Sequence, residues 1–154
     1  MLVRDAMTQR AEIARPDETI QAAARRMRDL GVGALVVCFE DRVLGVLTDR
    51  DIVVRSTAEG SPPAQASVRS AMTPQVIDCC EEDDLEIAAV RMSQGAVRRL
   101  AVMDAAREKL VGILSVDDIA LRSPELAGEI VEHVRAPERA VRRGPWPWWE
   151  SPES

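Results

Sequence analysis

Two similar units, each a thin sheet with helices, packed about a pseudo-twofold axis in one mixed α/β (α+β) module: this is the fold class the sequence predicts. Three observations predict it. The chain repeats itself at a nearly fixed offset, each copy follows an amphipathic helix with short valine-rich runs, and a proline-marked linker separates the copies.

The repeat is read directly. Val3-Arg4-Asp5-Ala6-Met7-Thr8 returns 65 residues on as Val68-Arg69-Ser70-Ala71-Met72-Thr73. The same offset carries Ile20, Ala23, Ala24 and Met27 onto Leu85, Ala88, Ala89 and Met92, and Val32, Leu35 and Val37 onto Val97, Leu100 and Val102. Gly45-Val46-Leu47-Thr48 matches Gly112-Ile113-Leu114-Ser115 at an offset of 67, so two residues are added in the loop between.

Within the first copy, Ile20, Ala23, Ala24, Met27 and Leu30 fall on one face of a helix. Asp17, Glu18 and Thr19 supply acids and a cap at its start, and Gly31 is placed to end it. In the second copy Glu81 to Asp84 place negative charge at the helix N-terminus, where the dipole favours it. Ala34 to Phe39 and Val43 to Leu47 are apolar runs split by the polar turn Glu40-Asp41-Arg42, the pattern of a hairpin of buried strands. Short helices close each copy, over roughly 51–58 and 118–121. The expected boundaries are a first repeat at 1–60, a linker at 61–67 containing Ser61-Pro62-Pro63, a second repeat at 68–122, a helix at 123–136 and a Pro/Trp tail at 137–154. A unit of about sixty residues buries too little core alone, so the two are expected to pack on each other and leave clefts between them.

Composition narrows the function. No apolar run approaches the ~20 residues of a membrane span, and no secretory leader is read at the start. A net charge of −6 argues against a nucleic-acid binder, whose affinity comes mainly from phosphate neutralisation. The basic and aromatic mixture at 139–149 is only a weak counter-signal. Three cysteines, Cys38, Cys79 and the adjacent Cys80, form no disulfide framework or zinc spacing and suit a reducing cytoplasm; as strand thiols they read as inert. With one histidine, His133, read as a surface residue of the late helix, no nucleophile–base pair or metal cluster is expected, so neither an enzyme nor a metal site is predicted.

The sharpest local pattern is Gly45-Val46-Leu47-Thr48-Asp49-Arg50-Asp51, echoed by Gly112-Ile113-Leu114-Ser115-Val116-Asp117-Asp118. A hydroxyl followed three residues later by an acid is a capping-box pattern. The functional reading is that hydroxyl and carboxylate face a cleft, the carboxylate accepting from ribose hydroxyls and the hydroxyl donating to phosphate. The two sites are not equivalent: Arg50 follows Thr48 by two residues, whereas the matching residue after Ser115 is Asp117. Arg98 and Arg99 either add charge to the cleft or form a solvated pair.

The duplicated Val-Arg-x-Ala-Met-Thr, the helices carrying Met27 and Met92, and the twin Gly-h-h-(Thr/Ser)-x-x-Asp endings resemble a CBS-domain pair, the tandem module named for cystathionine β-synthase, over residues 1 to about 122. The resemblance implies two β-α-β-β-α repeats, a homodimer, and an adenosine-containing ligand in the clefts: AMP, ADP, ATP or the S-adenosylmethionine class, with no catalytic cofactor. It implies that Asp51 and Asp118 hold ribose hydroxyls and that Thr48 and Ser115 meet phosphate or ribose oxygens. Backbone near Leu35-Val36 and Leu100-Ala101 would flank the base. The family often has proline where this chain has Val36 and Ala101, and some members bind no nucleotide. The expectation is a cytoplasmic, non-enzymatic sensor acting on a separate effector protein; the alternative is a ligand-free dimerisation or interaction scaffold. Every tryptophan (Trp146, Trp148, Trp149) lies in the tail, where the prolines bar helix and central strand, so the segment is expected to be extended or disordered: either a mobile tail, or one whose indoles dock on the module, its dimer mate or a partner, with partial docking inside the dimer slightly favoured.

Overall fold

Residues 1–74 and 76–141 are described by a computed structural model. In chain order the first repeat contains α1 (Val3–Ala6), β1 (Thr8–Gln9), β2 (Ile13–Ala14), α2 (Ile20–Leu30), β3 (Ala34–Phe39), β4 (Arg42–Thr48) and α3 (Asp49–Asp51), which continues as a π-helical stretch, Ile52–Thr57. The second contains α4 (Val68–Ala71), β5 (Asp78–Cys80), α5 (Leu85–Gly95), β6 (Arg99–Met103), β7 (Leu110–Ser115) and α6 (Val116–Ala120), and α7 (Pro124–Val141) follows. The helix expected over 51–58 is therefore a short α turn followed by a wider π turn, closed by an Ala58 N–H to Val53 C=O bond of 2.9 Å. The helix expected over 123–136 runs on to Val141. The tail with Trp146, Trp148 and Trp149 lies outside the described residues.

The local elements follow from local chemistry. Thr19 caps α2 by accepting the Ala22 N–H at 3.1 Å, and Gly31 ends it in the left-handed conformation at φ +66°. The first hairpin turns tightly at Glu40, with φ +53°. The second spans the two added residues as a loop folded around Asp104, whose carboxylate accepts the N–H groups of Glu108 and Lys109 at 2.7 and 3.1 Å. Those bonds hold the Asp104 carboxyl below its ordinary pKa.

The halves are joined by exchange. One sheet orders as β2-β3-β4 and the other as β1-β7-β6-β5, so β1 of the first repeat lies on the edge of the second repeat's sheet, with Thr8 opposite Ile113. Reciprocally, Thr73 bridges to Val46 of β4 through two backbone bonds of 2.9 and 3.1 Å. α1 and α4 cross over with them: Val3 N–H donates to Asp83 C=O at 2.9 Å, and Val68 N–H to Glu18 C=O at 2.8 Å. Each hydrophobic core consequently contains a segment of the other repeat. Val68, Ala71 and Met72 pack with Ile20, Met27, Leu35 and Leu47, while Val3 packs with Leu85, Met92, Leu100 and Leu114. α7 adds Ala127 and Ile130 to the second core.

An arginine clamp is also duplicated. Arg26 on α2 donates to the Ile13 carbonyl at 2.6 Å and pairs with Glu18 at 2.8 Å. Arg91 on α5 donates to the Asp78 carbonyl at 2.8 Å and pairs with Asp83 at 3.8 Å. Each clamp ties a helix to the parallel edge strand of its sheet, β2 or β5.

Candidate functional site

β4 and β7 each end in a hydroxyl residue that starts a short helix. Thr48 Oγ1 accepts the Asp51 N–H at 3.1 Å while the Thr48 N–H donates to Asp51 Oδ2 at 3.0 Å. Ser115 Oγ accepts the Asp118 N–H at 3.1 Å, and the Ser115 N–H and hydroxyl donate to Asp118 Oδ2 at 2.8 and 2.7 Å. Both are closed capping boxes with aspartate in the third helical position.

The carboxylates have a second partner, supplied by the exchanged segments. The Thr73 hydroxyl reaches Asp51 at 3.4 Å, and the Thr8 hydroxyl reaches Asp118 at 3.5 Å. Thr8 and Thr73 close the duplicated Met-Thr motif, so their recurrence was visible in the sequence although their contact was not. The glycine opening each motif has a packing reason too. A β-carbon on Gly45 would collide with the Thr73 carbonyl oxygen, and one on Gly112 would come within 2.6 Å of that of Thr8. Recurrence of that glycine is therefore explained by chain crossing, independently of any ligand.

Two clefts open where one repeat's motif faces the other repeat. The smaller, about 220 Å³, is bounded by Thr48, Asp49, Arg50 and Thr73 on one side and by Ile77, Val97, Arg98 and Arg99 on the other. The larger, about 450 Å³, sets Ser115, Asp117, Asp118 and Thr8 against Glu12, Val32, Gly33 and Ala34, with Arg10 and Arg99 also lining it. Of the residues singled out from the sequence, Thr48, Arg50 and Arg99 are thus gathered on one cleft, and Ser115, Asp118 and Arg99 on the other. Asp51 stands behind Thr48 and Thr73, bonded to both.

Leu35, Val36, Leu100 and Ala101 are 0–1% exposed and line neither cleft. They occupy strand interiors, and Leu35 and Leu100 fill the two cores. The cleft walls instead come from the residues entering those strands, Val32 to Ala34 and Val97 to Arg99.

The electrostatics of the clefts differ as the motif asymmetry implied. The smaller holds three arginines and one carboxylate, Asp49; the larger sets Glu12, Asp117 and Asp118 against Arg10 and Arg99. The sequence positions responsible are Arg50 against Asp117, Arg98 against Gly33, and Arg99 against Ala34. Cys38, Cys79 and Cys80 are buried and free. Burial, reinforced by the Asp83 carboxylate, pushes the Cys79 thiol up to about 12, out of reach of thiolate chemistry at neutral pH. Among the described residues, no group of three or more His, Cys, Asp or Glu side chains is placed to hold a metal.

Comparison with known proteins agrees with this architecture. CBS-domain protein YhcV of Bacillus subtilis is 36% identical over 134 residues, covering 86% of this chain and 94% of that protein. A crystal structure of hypoxic response protein I with two coordinated zinc ions is 33% identical and covers 80% of this chain and 100% of the other, with a TM-score of 0.70. The CBS domain pair of protein MJ0100, solved with 5′-methylthioadenosine and S-adenosylmethionine, matches in fold at a TM-score of 0.70 and 24% identity, covering 79% of this chain and 94% of that one. The CBS domain model matches twice, at residues 3–56 and 68–125, so the chain belongs to the CBS-domain family as a tandem pair.

Proposed function

We propose that this pair is a regulatory, non-catalytic module that binds an adenosyl compound, of the AMP, ADP, ATP or S-adenosylmethionine class, in the clefts between its repeats. Binding favours one arrangement of the halves, and a separate effector protein reads the difference. The observation that carries this reading is the pairing of each Thr/Ser-x-x-Asp motif with a concave wall from the other repeat, so that a ligand touches both halves at once. Thr48, Arg50, Asp51, Ser115, Asp118 and Arg99 are the residues proposed to hold it. The adenosyl ligands of the MJ0100 pair support the class.

The module is proposed to act as a homodimer. Val53 and Val54 of the π-helical stretch and Ile87 and Val90 of α5 leave apolar side chains exposed, which a second copy would cover. Light scattering then gives twice the chain mass. A cytoplasmic setting suits the three unpaired, buried thiols, and no described helix is long and apolar enough to cross a membrane.

A ligand-free scaffold is the second reading, and the closed capping boxes favour it, since they already occupy both hydroxyls and both carboxylates. A thermal-shift panel of adenosine compounds separates the two. Ligand at 100 times its Kd adds about 2.7 kcal/mol, several degrees for a chain of this length. Asp51→Asn and Asp118→Asn, which keep side-chain shape, reduce that shift. Silence from every compound at millimolar concentration leaves the scaffold standing.

A further inference from the structure

α2 and α5 hold matching places in their repeats, but α7 packs on α5 and has no counterpart on α2. Between α5 and α7 runs a groove of about 310 Å³, lined by Val90, Ser93 and Gln94 of α5 and by Leu126, Ile130 and His133 of α7. At the offset of 65, the residues of α2 that match Val90, Ser93 and Gln94 are Arg25, Arg28 and Asp29, all exposed and all charged. The second repeat has thus exchanged three charges for a valine, a serine and an amide. Yet Val90 is still 53% exposed with α7 in place. α7 alone does not cover these positions, and the loss of charge there suits an apolar occupant.

The segment that follows α7 has that chemistry. Past Val141 come Arg142, Arg143 and Gly144, then Pro145-Trp146-Pro147-Trp148-Trp149, outside the described residues. Glycine lets a chain reverse, and a proline-spaced stretch rises about 3.1 Å per residue. Counted from Gly144, Trp148 and Trp149 stand about 12 and 16 Å along such a stretch. His133 and Ile130 stand about 12 and 16 Å back from Val141 along α7, at about 1.5 Å per residue. The two lengths agree. The groove also offers the acceptor that a buried indole N–H needs. Glu129 lines it, and His133 Nδ1 lies 2.8 Å from the Glu129 carbonyl, so in the neutral ring Nδ1 donates and Nε2 is left to accept.

We propose that the groove between α5 and α7 is the seat of this chain's own C-terminal segment, with Trp148 and Trp149 laid between Val90 and Ile130. A short tether supplies the segment at an effective concentration on the order of millimolar, so a modest apolar contact holds it. Val90 is shared with the face proposed for a second copy; the inference rests on neither that dimer nor the adenosyl reading.

All three tryptophans lie in this segment and the chain has no tyrosine, so intrinsic emission of the full chain reports the segment alone. That emission is expected to be blue-shifted from that of the urea-unfolded chain, and quenched by acrylamide at least about two-fold less. Val90→Glu and Ser93→Glu bring charge to the groove without the stacking that arginine offers an indole. Each is expected to cost at least about half of the protection, while circular dichroism shows the fold retained. Ile87→Glu, one turn earlier on α5 and outside the groove, is expected to leave the protection unchanged. Emission as red and as freely quenched as in the unfolded chain overturns the seat. Protection that survives both groove variants places the indoles elsewhere and overturns it too. Protection lost in Ile87→Glu together with a halving of mass by light scattering, or lost on dilution, assigns the segment to a second copy's groove and overturns the seat within one chain.

Discussion

At the end of β4, Thr48 and Asp51 close a capping box around Arg50; at the end of β7, Ser115 and Asp118 close the same box around Asp117. The backbone around the two boxes is nearly interchangeable. Each box meets a threonine from the opposite segment, each is preceded by a glycine under a crossing carbonyl, and each sheet is tied to its helix by an arginine. The side chains facing the clefts are not interchangeable at all, three arginines and one acid on one side answering three acids, two arginines and small residues on the other. The difference separates two demands on one motif. Positions whose neighbours are backbone atoms are held the same in both repeats because the chain crossing requires them. Positions that face only the cleft have diverged, which is what distinct ligands would require.

The strongest way to break this division is to attack a crossing glycine. Gly45→Ala drives a β-carbon into the Thr73 carbonyl, and Gly112→Ala brings one to 2.6 Å from the Thr8 carbonyl. Neither oxygen yields easily, because each belongs to a backbone paired in a bridge or strand. Overpacking against backbone is expected to cost about 3 kcal/mol at Gly45 and about 2 kcal/mol at Gly112 by urea unfolding. Near-neutral values at both would mean that the exchanged segments are not anchored there. A larger cost at Gly112 would reverse the order that the two contacts set.

That crossing was the part of the fold least legible in the sequence. α2, β3 and the hairpin were readable because their apolar spacing, caps and turn residues act within a few positions of one another. β1 is two residues long, and its partner β7 lies about a hundred residues away, so no local period announces the pairing. Thr8 and Thr73 were visible as repeats, but a repeat shows that a residue recurs, not what it touches. Arg26 and Arg91 were hidden for a similar reason: arginine on a helix reads as solvated surface, and their carbonyl partners lie thirteen residues back. The cleft's charge was half legible. Arg50 against Asp117 follows from aligning the copies, whereas the walls were expected two or three residues too far along each strand, where side chains enter the cores instead.

The ends of the paired helices sharpen the comparison with a smaller effect. α2 ends at Gly31, with φ +66°, and α5 ends at the matching Ala96, with φ +50°. Left-handed backbone costs an L side chain about 1–2 kcal/mol. Glycine recovers most of this, less the entropy it restores to the unfolded chain. Gly31→Ala is thus expected to destabilise by about 1 kcal/mol, and Ala96→Gly to stabilise by about 0.5 kcal/mol. Gly31 has no heavy atom within 4 Å of an added β-carbon, so conformation alone is measured there. Shifts of the same sign in urea midpoints would show that packing, not backbone strain, governs the two ends.

The smallest effect concerns a position where one core titrates and the other does not. Ala14 of β2 and Cys79 of β5 occupy matching places, both 0% exposed. Burial, then the nearby Asp83 carboxylate, raises the Cys79 thiol from 9.0 to about 12, with Arg91 opposing. Between those values the native chain keeps a proton that the unfolded chain has released. The native state binds more protons there, so stability falls as pH rises, with a limiting slope of about 1.4 kcal/mol per pH unit. Near pH 9.5, only just inside the window, the loss is under about 1 kcal/mol. Cys79→Ala removes this contribution, so its stability difference from the parent, measured by urea unfolding from pH 7 to 10, shrinks as pH rises. A difference constant across that range would mean that the thiol at the centre of the second core titrates like one in water, and that its strand is open to solvent in a way that of Ala14 is not.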